Sequence, residues 1–176
     1  MKMAREYEIT YITKEYLMKK GWTIIAYNPP GSQGTFTIPN PDKDPNYRGQ
    51  TGSESPDIVA IKEKENKYYI LIVESKPYYN EQDVKKMKKL FSSEKRKELF
   101  LKIIYKQCLA NEIKFDLEKE SRIIFAKAHG GEENLEDDMI TFLIECKNEK
   151  WNPENFNARE DIFEYFDVKE INPFGI

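Results

Sequence analysis

The amino-acid sequence predicts an α/β fold in which a central mixed sheet is flanked by helices. Helical and strand-like segments alternate along the chain, and the two most apolar segments are short and apolar on both faces, as in strands from the middle of a sheet. With 176 residues, of which 39% are hydrophobic, the chain can bury one core and is too short for two ordinary domains. We therefore expect residues 1–176 to form one domain.

The first third of the chain predicts a helix, a strand and a long loop. Residues 3–20 contain no proline or glycine and Gly21 follows them, which predicts an opening helix that ends at this glycine. Residues 22–27 form a short β-like run. Residues 28–55 contain five prolines and four glycines, too many for a regular element. A loop of this length in a small domain usually has a function.

The remaining elements continue the alternation. Strand-like runs lie at residues 58–61, 68–73, 122–128 and 139–146. Helical patterns lie at residues 81–110, with a break near Ser92 and Ser93, and at residues 159–166. The predicted order of the core is αβββαβ, followed by a C-terminal strand and helix within residues 138–170.

The charge is unevenly distributed. The formal net charge of −3 disfavours a nucleic-acid partner, because phosphate binding depends on Lys and Arg. However, residues 80–111 carry nine basic against four acidic residues, whereas residues 129–176 carry four against thirteen. The first segment suits contact with phosphates, and the acidic tail does not.

Composition also argues against two classes of protein. With one histidine and two distant cysteines, Cys108 and Cys146, a Cys/His zinc site is nearly excluded. No run approaches the roughly 18 apolar residues of a membrane span, and Met1 to Arg5 lacks the apolar block of a secretory signal. We expect a soluble, cytoplasmic protein without membrane contact.

Two carboxylates meet across the predicted hairpin. A turn centred on Glu65 and Asn66 sets Asp57 directly opposite Glu74. Opposed residues in an antiparallel pair have Cβ atoms about 4.5–5.5 Å apart, where like charges destabilise the sheet. A divalent cation would offset this repulsion.

Side chains alternate between the two faces along the second strand of the hairpin, and this adds a lysine to the pair of carboxylates. Lys76 lies on the same face as Glu74, while the side chain of Ser75 points away and leaves its backbone carbonyl near the same point. Hard oxygen ligands suit Mg²⁺, and Mn²⁺ can substitute for it. A metal ion can activate water and neutralise phosphate charge, and Lys76 can orient or deprotonate the water or stabilise developing charge. This is the chemistry of phosphodiester hydrolysis.

These residues resemble the PD-(D/E)xK nuclease superfamily. Pro56-Asp57 is similar to the PD half of the motif and Glu74-Ser75-Lys76 to the ExK half, each at the strand position that the family uses. The resemblance covers residues 3–128 and implies a restriction-endonuclease-like core with Asp57 and Glu74 as metal ligands and Lys76 as the catalytic lysine. It implies a Mg²⁺-dependent endonuclease that hydrolyses DNA phosphodiester bonds.

Many members of this superfamily add an acidic residue from the first helix. Apolar residues on the helical wheel form an arc with Glu8 and Glu15 inside it, and a glutamate in an apolar stripe needs a partner. Glu6 lies outside this arc and is set aside. The resemblance favours Glu8, with Glu15 as the alternative. The residues of the arc are Ala4, Tyr7, Ile9, Tyr11, Ile12, Tyr16 and Met18.

Candidate DNA contacts come from two regions. One is the lysine-rich start of the second helix, although such charge runs are often only solvated helix faces. The other is the long loop, whose glycines also suit simple turns. The candidate residues are Gln33, Arg48, Lys85, Lys86, Lys88 and Lys89.

Sequence-specific protein–DNA interfaces bury roughly 1,000 Å² or more. Beyond the predicted core, little of the chain remains to form such an interface. This predicts either a compact homodimer or a catalytic subunit that borrows recognition from a larger DNA-binding partner. The second resembles the small subunits of heterodimeric type IIS restriction endonucleases. A junction-resolving or repair nuclease is an alternative, and so is a non-catalytic DNA- or protein-binding module on the same fold.

Overall fold

A computed structural model describes residues 4–32, 36–42, 46, 53–78, 80–89, 92–130, 140–147 and 150–157. Within these ranges the chain forms three helices and six strands. In chain order they are α1 (Glu6–Lys19), β1 (Thr23–Tyr27), β2 (Ile58–Lys64), β3 (Lys67–Lys76), α2 (Glu81–Lys89), α3 (Glu94–Ala110), β4 (Ser121–His129), β5 (Ile140–Lys147) and β6 (Lys150–Asn157).

The strands form one mixed sheet in which their spatial order equals their order in the chain. The pairs β1–β2, β2–β3 and β5–β6 are antiparallel, whereas β3–β4 and β4–β5 are parallel. The predicted α/β class, with a mixed sheet and helices, is therefore confirmed. Neighbouring strands β2 and β3 lie inside the sheet, which explains why both are apolar on both faces.

Helices cover both faces of this sheet. On one face, Ile9 and Leu17 of α1 pack with alternate residues of β2 and β3, including Leu71 and Val73. On the other face, Phe100 and Ile104 of α3 pack with the intervening strand residues, including Ile70 and Ile72. Because side chains alternate along a strand, Glu74 and Lys76 project on the α2–α3 side.

The β2–β3 hairpin has the predicted turn and register. Glu65 and Asn66 have φ angles of 51° and 61°, as in a two-residue type I′ turn. Ile58 pairs with Val73, and the register continues without a shift to the Lys64–Lys67 pair. This register extends to Asp57 and Glu74, one residue beyond the last pair.

The buried face of α1 differs from the predicted arc. Tyr7, Tyr11 and Met18 are exposed, whereas Thr10 and Thr13 are buried. Each threonine hydroxyl donates a 2.8 Å hydrogen bond to the carbonyl four residues earlier, so neither is left unsatisfied. The helix ends as predicted at Gly21, whose φ is +80°.

The break in the second helical segment is also confirmed. Ser93 caps α3, where its Oγ accepts a hydrogen bond from the backbone N–H of Arg96 at 3.3 Å. The buried line of α3 consists of Phe100, Ile104 and Cys108.

One difference concerns the C-terminal part. The predicted strand at residues 139–146 is present as β5, but β6 was not predicted, and it pairs with β5 as an edge strand. The predicted helix at residues 159–166 lies outside the described residues. In the part of the chain that the structure describes, no helix is long and apolar enough to cross a membrane.

We predict that Asn66→Val destabilises the protein, because a β-branched side chain is strained at positive φ. The expected loss is about 1–2 kcal/mol, or roughly 2–8 °C in Tm measured by circular dichroism. Asn66→Gly is the control and should keep or slightly raise Tm. Equal Tm values for the two variants would contradict the turn assignment.

Candidate active site

Asp57, Glu74 and Lys76 meet at the end of the sheet where β2 begins and β3 ends. Asp57 directly precedes Ile58 and is buried, with 8% of its surface exposed. Glu74 and Lys76 occupy alternate positions at the end of β3, and both side chains are mostly buried. The three predicted residues therefore lie together.

Ser75 holds Asp57 in place. Its backbone N–H donates a 2.7 Å hydrogen bond to Asp57 Oδ2, while its own side chain is fully buried on the opposite face. The residue between Glu74 and Lys76 thus orients the neighbouring carboxylate. The use of its carbonyl as a metal ligand stays a prediction.

Burial raises the pKa values of both carboxyl groups, and the charge of Asp57 raises that of Glu74 further. The pKa of Asp57 rises to about 6, mainly through burial, which outweighs the hydrogen bond from Ser75 and the charge of Lys76. The pKa of Glu74 rises to about 8, through burial and then through the charge of Asp57. Without a cation, this pair holds a proton near neutral pH.

Lys76 is shared between two glutamates. Its Nζ donates a 2.8 Å hydrogen bond to Glu6 Oε1 and lies 3.7 Å from Glu74 Oε1. Burial lowers the pKa of Lys76, but the hydrogen bond to Glu6 and the charges of Glu74, Glu6 and Asp57 outweigh burial and raise it. The ammonium group is therefore retained at neutral pH.

The structure places Glu6 beside Lys76 and places Glu8 and Glu15 elsewhere. Glu8 Oε2 accepts a 2.8 Å hydrogen bond from the backbone N–H of Arg5, so it caps its own helix. Glu15 Oε1 pairs with Lys14 Nζ at 3.0 Å and is 40% exposed. The expectation that one of these two glutamates reaches the site is not supported. Glu6 reaches Lys76 because α1 packs on the sheet through Ile9, Thr13 and Leu17 and not through the predicted apolar arc as a whole.

Asp83 of α2 is a further acidic residue beside the site. Its side chain is 16% exposed and lines the same cavity as Glu74 and Met87. Its Oδ1 lies 3.7 Å from Lys86 Nζ, and its buried Oδ2 accepts no hydrogen bond from the described residues. The charge of Asp83 contributes to the raised pKa values of Asp57 and Glu74. No sequence motif singled it out.

Two basic residues of β4 line a second cavity, which shares Glu74, Asp83 and Met87 with the first. Lys127 lies beside Glu74 in the parallel register and His129 beside Lys76, and both are buried. Burial lowers the pKa of His129, and the charge of Lys127 lowers it further, against the effect of the Gly130 carbonyl. His129 directly follows the predicted strand at residues 122–128. The placement of Lys127 beside Glu74 was not predicted, because no local turn sets the β3–β4 register.

The candidate DNA contacts are placed only in part. The Lys85 ammonium forms an ion pair with Glu81 at 2.6 Å, and Lys86 lines the cavity that contains Glu74. Lys89 is exposed at the end of α2. Gln33 and Arg48, and the side chain of Lys88, lie outside the described residues.

The donor set suits a weakly enclosed hard cation. Among the described residues, no three Asp, Glu, His or Cys side chains converge as a metal cage. Mg²⁺ commonly uses one or two carboxylates and keeps several waters, so Asp57 and Glu74 fit its requirements. Burial is the main cause of their raised pKa values, and neighbouring acidic groups add to it.

Fold and site define an α/β protein with two opposed carboxylates and a lysine at the end of its central strands. The chain matches no protein-family model, no curated protein and no solved structure. We therefore infer its function from the geometry of the site.

We predict that Glu74→Gln stabilises the protein at alkaline pH. The pKa of Glu74 is raised to about 8 in the native state, so the native state binds this proton more tightly than the unfolded state does. The free energy of unfolding therefore falls as pH rises from about 4.5 to about 8. A neutral amide removes this loss. Urea unfolding well above pH 8 should show a gain on the order of 1 kcal/mol that disappears near pH 4.5.

The control for this prediction is Glu118→Gln, because Glu118 is exposed and lies in the α3–β4 connection. Its unfolding free energy should follow the wild type at every pH. A Glu74→Gln variant that gains no stability at high pH would contradict the burial of charge at this site.

We predict that Glu6→Gln lowers the pKa of Lys76, because the variant removes a hydrogen-bonded anion. Nitrogen-detected NMR titration of the lysine side chain measures this directly. Glu8→Gln is the matched control on the same helix and should leave the pKa of Lys76 unchanged. The reverse result would restore Glu8 as the site residue.

Proposed function

We propose that this protein is a Mg²⁺-dependent endonuclease with a restriction-endonuclease-like core, which hydrolyses DNA phosphodiester bonds. The observation that carries the proposal is the convergence of Asp57, Glu74 and Lys76 at adjoining strand ends, with both carboxyl pKa values raised. The order of α1, the three-stranded β1–β3 unit, the α2–α3 segment and β4 supports the same assignment. The motif resembles PD-(D/E)xK, with Pro56-Asp57 and Glu74-Ser75-Lys76 as its two halves.

Asp57 and Glu74 are the residues that would hold the cation, together with the Ser75 carbonyl. Mg²⁺, or Mn²⁺ in its place, supplies activation of water and neutralisation of phosphate charge at such a site. The hydrogen bond from the Ser75 N–H leaves Asp57 Oδ1 as the oxygen available for a ligand. Binding a cation requires Glu74 to lose its proton, so we expect cation affinity to rise with pH up to about 8.

Lys76 acts as a cation toward the phosphate. Its raised pKa keeps it protonated at neutral pH, which suits orientation of water and stabilisation of charge on a phosphate oxygen better than removal of a proton. Glu6 is a positioning residue, because its 2.8 Å hydrogen bond holds the Lys76 ammonium group in place at the end of β3.

Contact with duplex DNA would involve α2. Lys86 lies on the cavity wall, and Lys85 and Lys89 are exposed on the same helix. Lys85 and Lys86 are also paired with acidic residues, so phosphate would have to compete with Glu81 and Asp83. This limited positive surface favours a subunit that binds DNA with a larger DNA-recognising partner or as a homodimer.

We predict that purified protein nicks or linearises supercoiled plasmid in Mg²⁺, and that Asp57→Ala, Glu74→Ala and Lys76→Ala each lower the rate by roughly 100-fold or more. The first two variants should also lose Mg²⁺ binding in calorimetry, because each lacks a ligand. Lys76→Ala should retain it.

The matched folding control is again Glu118→Gln, which should cleave like the wild type. Chelation by EDTA should stop cleavage, and Mn²⁺ should restore it. Retained activity in all three site variants would overturn the assignment. If the folded chain binds Mg²⁺ but cleaves nothing alone, its activity should appear when the larger partner is added.

A further inference from the structure

Asn28 lies beside Asp57 at the point where β1 ends and β2 begins. It follows Tyr27, the last residue of β1, and Tyr27 pairs with Ile58 in the antiparallel register. Continuing this register by one residue sets Asn28 opposite Asp57. Only 6% of the Asn28 surface is exposed, so its amide group is removed from water and needs partners within the protein.

The side chain of Asn28 donates to two backbone carbonyls. Its Nδ2 lies 2.9 Å from the carbonyl oxygen of Pro56 and 3.2 Å from that of Phe36. Its backbone N–H also donates a 2.8 Å hydrogen bond to the carbonyl oxygen of Asp57. One residue therefore holds the carbonyls of two successive residues, Pro56 and Asp57.

These hydrogen bonds fix the backbone on both sides of the Asp57 Cα atom. The Pro56 carbonyl belongs to the peptide plane before Asp57, and the Asp57 carbonyl belongs to the plane after it. Because each peptide unit is planar, the orientations of these two planes set φ and ψ of Asp57. They also set the direction of its Cα–Cβ bond. The direction in which the carboxylate leaves the backbone is thus set from β1.

Asp57 is held from the β3 side as well. The Ser75 N–H donates to Asp57 Oδ2 at 2.7 Å, which sets the rotation of the carboxylate group. This bond requires the Asp57 side chain to leave the backbone in the right direction, because a hydrogen bond weakens steeply as its angle closes. Asn28 and Ser75 therefore act on one side chain from the two strands that flank β2.

The contacts of Asn28 use a property that other side chains of similar size lack. Its amide carries two N–H donors, one for each carbonyl, whereas serine has one and leucine or an ionised aspartate has none. An aspartate here would place a carboxylate against two carbonyl oxygens. The same amide ties Phe36, a buried residue of the β1–β2 connection, to the peptide before Asp57.

We propose that Asn28 is a positioning residue of the candidate active site, which orients the Asp57 carboxylate toward a divalent cation. The inference rests on the proposed nuclease function and adds to it a residue that acts through Asp57. Loss of a residue that orients a metal ligand weakens cation affinity by roughly 10- to 100-fold. We expect an effect of this size from Asn28→Leu, which keeps the branched shape and removes both donors.

The first readout needs neither cation nor DNA. In NMR spectra of the full chain in EDTA, the Ser75 amide proton of Asn28→Leu should move upfield, because its hydrogen bond to Asp57 is weakened. Its exchange with solvent should be roughly tenfold faster or more. Asn111→Leu is the matched control, because Asn111 Nδ2 donates to the Gln107 carbonyl at 2.7 Å, at the end of α3. Its Ser75 amide should match that of the wild type.

The second readout is cation affinity. Calorimetry with Mn²⁺ should give a Kd roughly 10- to 100-fold weaker for Asn28→Leu and an unchanged Kd for Asn111→Leu. Because the defect lies in binding, excess Mg²⁺ should restore plasmid cleavage by Asn28→Leu and should not restore cleavage by Asp57→Ala. If circular dichroism shows that Asn28→Leu does not fold, Asn28→Ser takes its place, since it keeps one of the two donors.

Two results would overturn the positioning role. One is a Ser75 amide that is the same in Asn28→Leu as in the wild type, and the other is an unchanged Mn²⁺ Kd in a variant whose Ser75 amide has moved. Failure of the nuclease proposal shows differently, as a wild type that binds no Mn²⁺ or leaves plasmid intact. A Ser75 amide that moves in Asn28→Leu and not in Asn111→Leu would then retain Asn28 as the residue that positions Asp57 and reject the nuclease.

Discussion

The register of the β2–β3 hairpin fixes the position of the two carboxylates, and the rest of the site is arranged around their repulsion. The two-residue turn at Glu65 and Asn66 sets a single register between β2 and β3. Continued to the ends of the two strands, this register places Asp57 opposite Glu74. Opposed carboxylates destabilise a sheet, and burial makes the charged forms less favourable still. The apolar pairs of the same hairpin, such as Ile58 with Val73, are fully buried and offset this repulsion. The hairpin therefore holds together two groups that would otherwise separate.

Lys76 and Glu6 connect this charge cluster to the helical layer on the other face. Their hydrogen bond joins the end of β3 to the first residue of α1. Glu6 can reach Lys76 only because α1 packs through Ile9, Thr10 and Thr13, with both hydroxyls satisfied by backbone carbonyls. The packing of α1 thus decides which acid faces the site and which tyrosines face solvent.

The uneven charge of the chain has a structural counterpart. Three acidic groups lie near one another, at Asp57, Glu74 and Asp83. Burial raises the pKa values of the first two, and the charge of Asp83 adds to the effect. The exposed lysines of α2 are partly neutralised by neighbouring acids. A protein built in this way has little net attraction for a duplex backbone. A partner subunit would add affinity for DNA without added positive charge on this chain.

The sequence by itself determined the local features: the helix end at Gly21, the hairpin turn and its register, the helix break at Ser93, and the meeting of Asp57, Glu74 and Lys76. Each depends on backbone preferences or alternation over a few residues, which sequence patterns report directly. Only the tertiary structure decided that Glu6 and not Glu8 contacts Lys76, and that Asp83, Lys127 and His129 border the cavity. These placements depend on how α1, α2 and β4 pack against β3. Buried threonines whose hydroxyls bond to backbone carbonyls of the same helix do not show as apolar residues in the sequence. The parallel β3–β4 register has no connecting turn, so no local pattern in the sequence predicts it.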